Sequence, residues 1–160
     1  MARALLAGFG NELRGDDAFG IRVLEILSRR LEGRSGVDLL HVGTGGLRLA
    51  QELLAGYDAL VVIDAMTRDG APGTLYVMEV EDVTDTRRVD LHLATPAHSL
   101  SVAKALGSLP GKVWMVGCEP ASVDELGEEL SPSVAAQVEP AVDAVLGLLE
   151  ANGYGVRALS

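Results

Sequence analysis

The sequence predicts an α/β fold: a single three-layer domain in which a twisted, mostly parallel five-stranded sheet carries helices on both faces. Three observations predict it. Strand and helix patterns alternate along the chain, giving the order βαβαββαβα. The strands at Ala4 to Gly8 and Ala59 to Ile63 are continuously apolar, as buried parallel strands are. Glycine turns follow the first two strands, at the carboxyl edge where open α/β sheets bind ligands. A length of 160 residues suits one domain, residues 1–160.

Each element has its own signal. The first strand ends at Gly8-Phe9-Gly10, and Asp16 is placed to cap the helix that follows. The apolar stripe of that helix is Ile21, Leu24, Leu27 and Leu31, with Gly33 as the stop. Val37 to Val42 reads as the second strand. Gly43-Thr44-Gly45-Gly46 turns it into a helix with the stripe Leu47, Ala50 and Leu54, stopped by Gly56. Ala59 to Ile63 reads as a central strand ending at Asp64. Thr74 to Val80 alternates more and follows Pro72-Gly73, which predicts an edge strand of antiparallel character.

Glu81 to Leu93 is polar and without a clean period, and reads as a mobile loop. Thr95-Pro96 predicts an N-cap with proline in the first turn, opening a helix through Leu100, Ala103 and Leu106. Val113 to Gly117 reads as the fifth strand. Ser131-Pro132 starts a long last helix with the stripe Val134, Val138, Val142, Val145 and Leu149, in which Pro140 predicts a kink. Strands two and three on opposite sides of strand one would open a crevice between strands one and three, beside Asp64.

Composition excludes several classes. Aromatic residues are only 4% of the chain, so Val, Leu, Ile and Ala must fill the core. The net charge of −10, with no basic run longer than a pair such as Arg29-Arg30, argues against nucleic acid. The acidity reads as a solvated surface, or as a preference for a cationic partner or metal. Cys118 is the only cysteine, which rules out an internal disulfide and reads as a small buried residue near a strand end. Met1 to Gly10 is short and runs into polar loop residues, so it reads as a strand and not as a signal peptide. No apolar stretch approaches membrane-spanning length. A soluble cytoplasmic monomer is expected.

The candidate chemistry lies in a few side chains. Gly8-Phe9-Gly10-Asn11-Glu12-Leu13 begins like a dinucleotide fingerprint, but Leu13 stands where the third glycine belongs, and no acid ends the second strand. Neither a P-loop nor a G-x-S-x-G nucleophile elbow is present. Asp17 follows the capping Asp16 and exceeds what one cap requires, so it reads as a site carboxylate or as a second helix-terminal charge. Asp64, ending an apolar strand, must be solvated, paired, bound to a metal or used as a turn cap. His98 falls in the first turn of its helix, where the helix dipole favours neutral imidazole; it reads as a metal ligand or as a surface histidine. His92 lies in the polar loop, and His41 ends the second strand. Two carboxylates and one imidazole suit a borderline divalent cation with open positions.

Taken together, the motifs resemble the hydrogenase maturation proteases. Gly8-Phe9-Gly10-Asn11-Glu12-Leu13-Arg14-Gly15-Asp16-Asp17-Ala18-Phe19-Gly20 resembles the family signature G-x-G-N-x-L-x-x-D-[DE]-x-x-G. Gly43-Thr44-Gly45-Gly46-Leu47 resembles its second glycine turn, Val62-Ile63-Asp64-Ala65 its strand ending in Asp-Ala, and His98-Ser99-Leu100 its H-x-L. Gly117-Cys118-Glu119-Pro120 and Leu130-Ser131-Pro132 resemble its later landmarks. The likeness runs over roughly residues 4 to 150.

The resemblance implies Asp17, Asp64 and His98 as catalytic and metal-contacting residues. It implies a peptide-bond hydrolase of aspartic type that trims the C-terminal extension of a nickel-iron hydrogenase large-subunit precursor. The nickel is carried by that precursor, and other divalent metals can occupy the same site. Ala18 departs from the glycine of many relatives. His41 stands where several carry an acid, leaving an extra ligand or a specificity contact as its readings. Two other functions fit the same chain: a non-cleaving factor that binds the precursor, and, with less support, a nucleotide-binding α/β protein.

Overall fold

The structure is a computed structural model and describes residues 2–11, 13–43, 47–81, 94–121 and 129–154. Strands β1 (Ala4–Phe9), β2 (Val37–Gly43), β3 (Ala59–Ala65), β4 (Leu75–Glu79) and β5 (Lys112–Cys118) form one sheet of order β2-β1-β3-β5-β4. Four strands run parallel and β4 pairs antiparallel with β5 at one edge. The edge position of β4 and the central position of β3 agree with their sequence patterns. Every residue of β1 and of β3 is buried, whereas β4 is only half-covered.

Helix α1 (Phe19–Arg30) packs on one face with α4 (Pro132–Ala135) and α5 (Val138–Ala151). Phe19, Val23, Leu24 and Leu27 meet Val61, Ile63 and Val116, and Val134, Val138, Val142, Val145 and Leu149 close that layer as their stripe predicts. On the other face α2 (Leu47–Leu53) and α3 (Ala94–Ala105) cover Leu5, Ala7, Leu60 and Val62. Three layers result, with the core split in two by the sheet. Among the described residues, no helix is long and apolar enough to cross a membrane.

Several local expectations change. Helix α2 buries Leu49, Ala50 and Leu53, while Leu47 and Leu54 face solvent. The stripe is offset because this short helix offers only one turn's worth of buried face. Helix α3 begins at Ala94, so Thr95 lies inside it and not at its cap. Leu106 lies past the helix end and is exposed, unlike Leu100 and Ala103. The last helix is interrupted at Ala136 and Gln137, before Pro140. Pro140 is the third residue of α5, in the first turn, where its missing N–H breaks no helical bond. The expected kink is therefore a break between two helices. The proposed loop at 81–93, with His92, lies outside the described residues beyond Glu81, as do Thr44, Gly45 and Gly46.

Topology brings the site together. β2 and β3 flank β1 on opposite sides, so the chain reverses its winding between β1 and β3. That switch point opens a crevice at the carboxyl ends of the strands. Gly20 lets α1 start directly over it. A Cβ at Gly20 would collide with the Ile63 carbonyl oxygen and lie 2.6 Å from the Phe9 carbonyl oxygen. Both obstacles are strand backbone and cannot yield. Gly20→Ala is expected to cost about 3 kcal/mol or more, read as a lower urea midpoint at unchanged slope.

Candidate active site

The loop after β1 is built by Gly10, which adopts φ 121°, a conformation that favours glycine. A Cβ here would strike the Asp17 carbonyl oxygen and sit 3.6 Å from Asp64 Oδ1. The Gly10 N–H donates to the Gly43 carbonyl at 3.0 Å, which ties the first loop to the end of β2. Asn11 Oδ1 then accepts from the Leu13 N–H at 2.9 Å, closing a local turn. The chain continues into a 3-10 turn, Gly15–Ala18, that carries the two aspartates.

These two neighbours do opposite work. Asp16 is 1% exposed and points inward. Its Oδ1 accepts from the Ser131 N–H at 2.7 Å, and its Oδ2 from the Ala121 N–H at 2.8 Å and the Ser131 hydroxyl at 2.6 Å. No side-chain cap bond is made at the start of the 3-10 turn or of α1, so the expected capping role is corrected. Asp16 is instead a tether holding the segment after β5 and the start of α4 against the first loop. Ser131 precedes Pro132 as expected, but its hydroxyl serves Asp16 and not α4.

Asp17 is half-buried, and its Oδ2 accepts the Asn11 N–H at 3.0 Å. It acts electrostatically on Asp64, which sits within β3 and is buried. Burial first, and then the Asp17 charge, push the Asp64 carboxyl well above the usual carboxylate range. The Ala65 N–H, donating to Asp64 Oδ1 at 2.8 Å, opposes them without prevailing. Two carboxylates from separate elements thus share the switch-point crevice, one of them strained toward its protonated form. Such a pair can hold and pass a single proton.

His98 is the fifth residue of α3 and is exposed. It lies two residues further into the helix than expected, past the first turn, where the helix-terminal field has weakened. Among the described residues, no group of three or more His, Cys, Asp or Glu is arranged to hold a metal ion. The structure therefore unites Asp17 with Asp64 and leaves His98 on the surface of α3. His41 is also exposed, on β2. Cys118 is buried in β5, and burial, with Asp16 and Glu119 nearby, pushes its thiol up to about 11. It is an inert core residue, as its position in the strand predicts.

Glu119 is the residue whose importance sequence reasoning missed. It is 4% exposed, and its Oε1 accepts from the Tyr76 hydroxyl at 2.7 Å, the Arg68 N–H at 2.8 Å and the Gly70 N–H at 2.9 Å. Burial pulls its pKa up, but these donors outweigh burial and hold the carboxyl below its ordinary value. Glu119 thereby folds the segment after β3 back onto β4. Its sequence signals were its place in the Gly117-Cys118-Glu119-Pro120 landmark and an acid directly after a buried strand, the signal that drew attention to Asp64.

Comparison with known proteins matches this frame. A family model described as hydrogenase maturation protease fits residues 21–148. The chain belongs to the hydrogenase maturation protease family. The hydrogenase 2 maturation protease of Escherichia coli strain K12 is 35% identical over 155 residues, covering 94% of this chain and 93% of the relative. The solved hydrogenase maturating endopeptidase HybD from E. coli superposes with a TM-score of 0.82 at 34% identity, covering 94% of each chain. The [NiFe] hydrogenase maturation protease HybD from Thermococcus kodakarensis superposes at 0.76 with 30% identity, over 91% of this chain and 98% of that one. As a member of this protease family the chain is a hydrolase of peptide bonds, and its five-stranded sheet is the family's fold.

Proposed function

We propose that this protease removes the C-terminal extension of a nickel-loaded hydrogenase large-subunit precursor. In this reading Asp17, Asp64 and His98 engage the nickel that the precursor brings. The observation that carries it is the Asp17–Asp64 pair at the switch point of a hydrogenase maturation protease fold. Two carboxylates supply hard oxygen ligands and leave positions for groups that arrive with the substrate. Nickel thus arrives as part of the substrate, and His98 joins the pair when the precursor docks.

The pair also supplies the proton chemistry. Asp17, held by the Asn11 N–H, is the carboxylate placed to accept a proton from the attacking water. Asp64, held toward its protonated form in the free protein, releases that proton when the cation binds, and Asp17 returns the proton taken from water to the departing amine. The metal polarises the scissile carbonyl or lowers the pKa of the attacking water.

The decisive assay incubates purified protein with nickel-loaded and nickel-free precursor. Shortening of the nickel-loaded form alone is the expected result. A stable complex with uncut precursor would favour a non-cleaving binding factor. His98→Ala is expected to lower the cleavage rate at least about 100-fold while leaving the melting temperature unchanged, because the side chain is exposed. Wild-type cleavage by His98→Ala would remove His98 from the site.

A further inference from the structure

β2 lies at one end of the sheet, and among the described residues its outer edge pairs with no strand. An open edge offers a row of backbone donors and acceptors to another chain. Along that edge, on the α1 face, runs a groove of about 380 Å³ lined by Ile21, Leu24, Glu25, Ser28, Arg29, Leu39 and His41. The helical residues fall three and four apart and form one stripe of α1. Leu39 and His41 are two apart on β2 and so share one face of the sheet.

The chemistry of the groove is asymmetric. Ile21, Leu24 and Leu39 give it an apolar floor. Glu25 pairs with Arg22 at 3.2 Å. Arg29 has no ion-pair or hydrogen-bond partner among the described residues. A chain of net charge −10 thus presents an uncommitted cation beside an apolar cleft. The groove also leads to the site. Two residues beyond His41, Gly43 accepts the Gly10 N–H, and Gly10 abuts Asp17 and Asp64.

We propose that this groove and the open edge of β2 bind an extended, carboxylate-bearing segment of the substrate protein as an added strand, guiding it to the Asp17–Asp64 crevice. Backbone bonds along β2 supply affinity, and alternate side chains enter the groove, the general mode of strand addition. Arg29 selects a carboxylate on that segment. The proposal rests on the processing reading above and names how that substrate is gripped.

The test uses the full-length protein and the purified nickel-loaded large-subunit precursor. Arg29→Glu is expected to raise KM about fivefold, the effect of ~1 kcal/mol at a partly exposed charge pair, with kcat and melting temperature unchanged. A photoreactive benzoylphenylalanine at position 28 should crosslink to the precursor segment that adjoins the cut bond. Replacing the acidic residue found there by Lys should restore KM for Arg29→Glu. Wild-type KM in Arg29→Glu, or crosslinks confined to other precursor regions, would overturn the groove while cleavage itself stands. Crosslinking to the precursor's C-terminal segment without cleavage would support the groove and overturn the processing reading. Neither crosslink nor cleavage overturns both.

Discussion

Replacing Asp64 by Asn is expected to abolish precursor cleavage and, at neutral pH, to raise the melting temperature. The two effects have one cause. Asp64 is buried in β3 beside Asp17, and both burial and that neighbouring charge favour its protonated form. In the unfolded chain the carboxyl ionises near its ordinary value of 3.8. The folded state holds its proton to higher pH. The native state therefore loses stability relative to the unfolded state as pH climbs from the unfolded pKa, until the folded pKa is passed. Asn keeps an oxygen for the Ala65 N–H and carries no charge.

Below pH 3.8 the side chain is neutral in both states of the wild type, so Asp64→Asn should melt close to wild type there. At pH 7 it should melt about 2–4 °C higher, the shift that ~1 kcal/mol produces in a domain of this size. Melting curves at both pH values check this. Cleavage should fall at least about 1,000-fold, because in the proposed reaction the amide could neither exchange a proton nor bind the metal as a carboxylate would. A variant that melts lower at pH 7 would show that the Asp64 charge is not a native-state cost. The expected gain in stability with loss of activity is the trade-off of a functional site.

Asp16→Ala is expected to be the most destabilising single change in the first loop, although Asp16 touches none of the proposed chemistry. Its carboxylate satisfies two backbone N–H groups and one hydroxyl from a segment more than a hundred residues away in the chain. Removing it leaves those donors facing a cavity with no acceptor. Buried hydrogen bonds to a charged group contribute roughly 1.5–3 kcal/mol each and are not additive, so a total cost of about 3–5 kcal/mol is expected. Urea denaturation measures it. Asp16→Asn should recover part of the loss, since one amide oxygen still accepts while the NH2 meets another donor. Ser131→Ala, which deletes the hydroxyl bond alone, should cost less, about 1.5–3 kcal/mol. Equal losses for Asp16→Ala and Ser131→Ala would show that the backbone donors find other partners. Amide exchange at Ser131 should accelerate in Asp16→Ala, because this tether holds the segment in place.

The contrast between Asp16 and Asp17 marks how far the sequence can be read. Period and turn chemistry determine the elements. The apolar runs of β1 and β3, the stripes of α1 and α5 and the edge character of β4 follow from local patterning, because each reports burial of one face or of both. The glycine loop also announces its sharp turn, because backbone conformation at Gly10 is a local property. The resemblance of the ordered motifs named the family and implied Asp17, Asp64 and His98 as its site residues.

Where each acid lies and what it contacts were decided only in three dimensions. Asp16 and Asp17 are adjacent and chemically identical, and both fit a helix start. Their fates divide because residues 121 and 131 arrive beside one of them, and β3 beside the other. Glu119 likewise became important only when the segment after β3 folded over it. The break before Pro140 and the offset face of α2 likewise show only in the folded chain. Sequence by itself determined which segments bury apolar surface, since that depends on near neighbours along the chain. Tertiary structure alone decided where the buried carboxylates find donors or one another, since those partners lie tens to more than a hundred residues away.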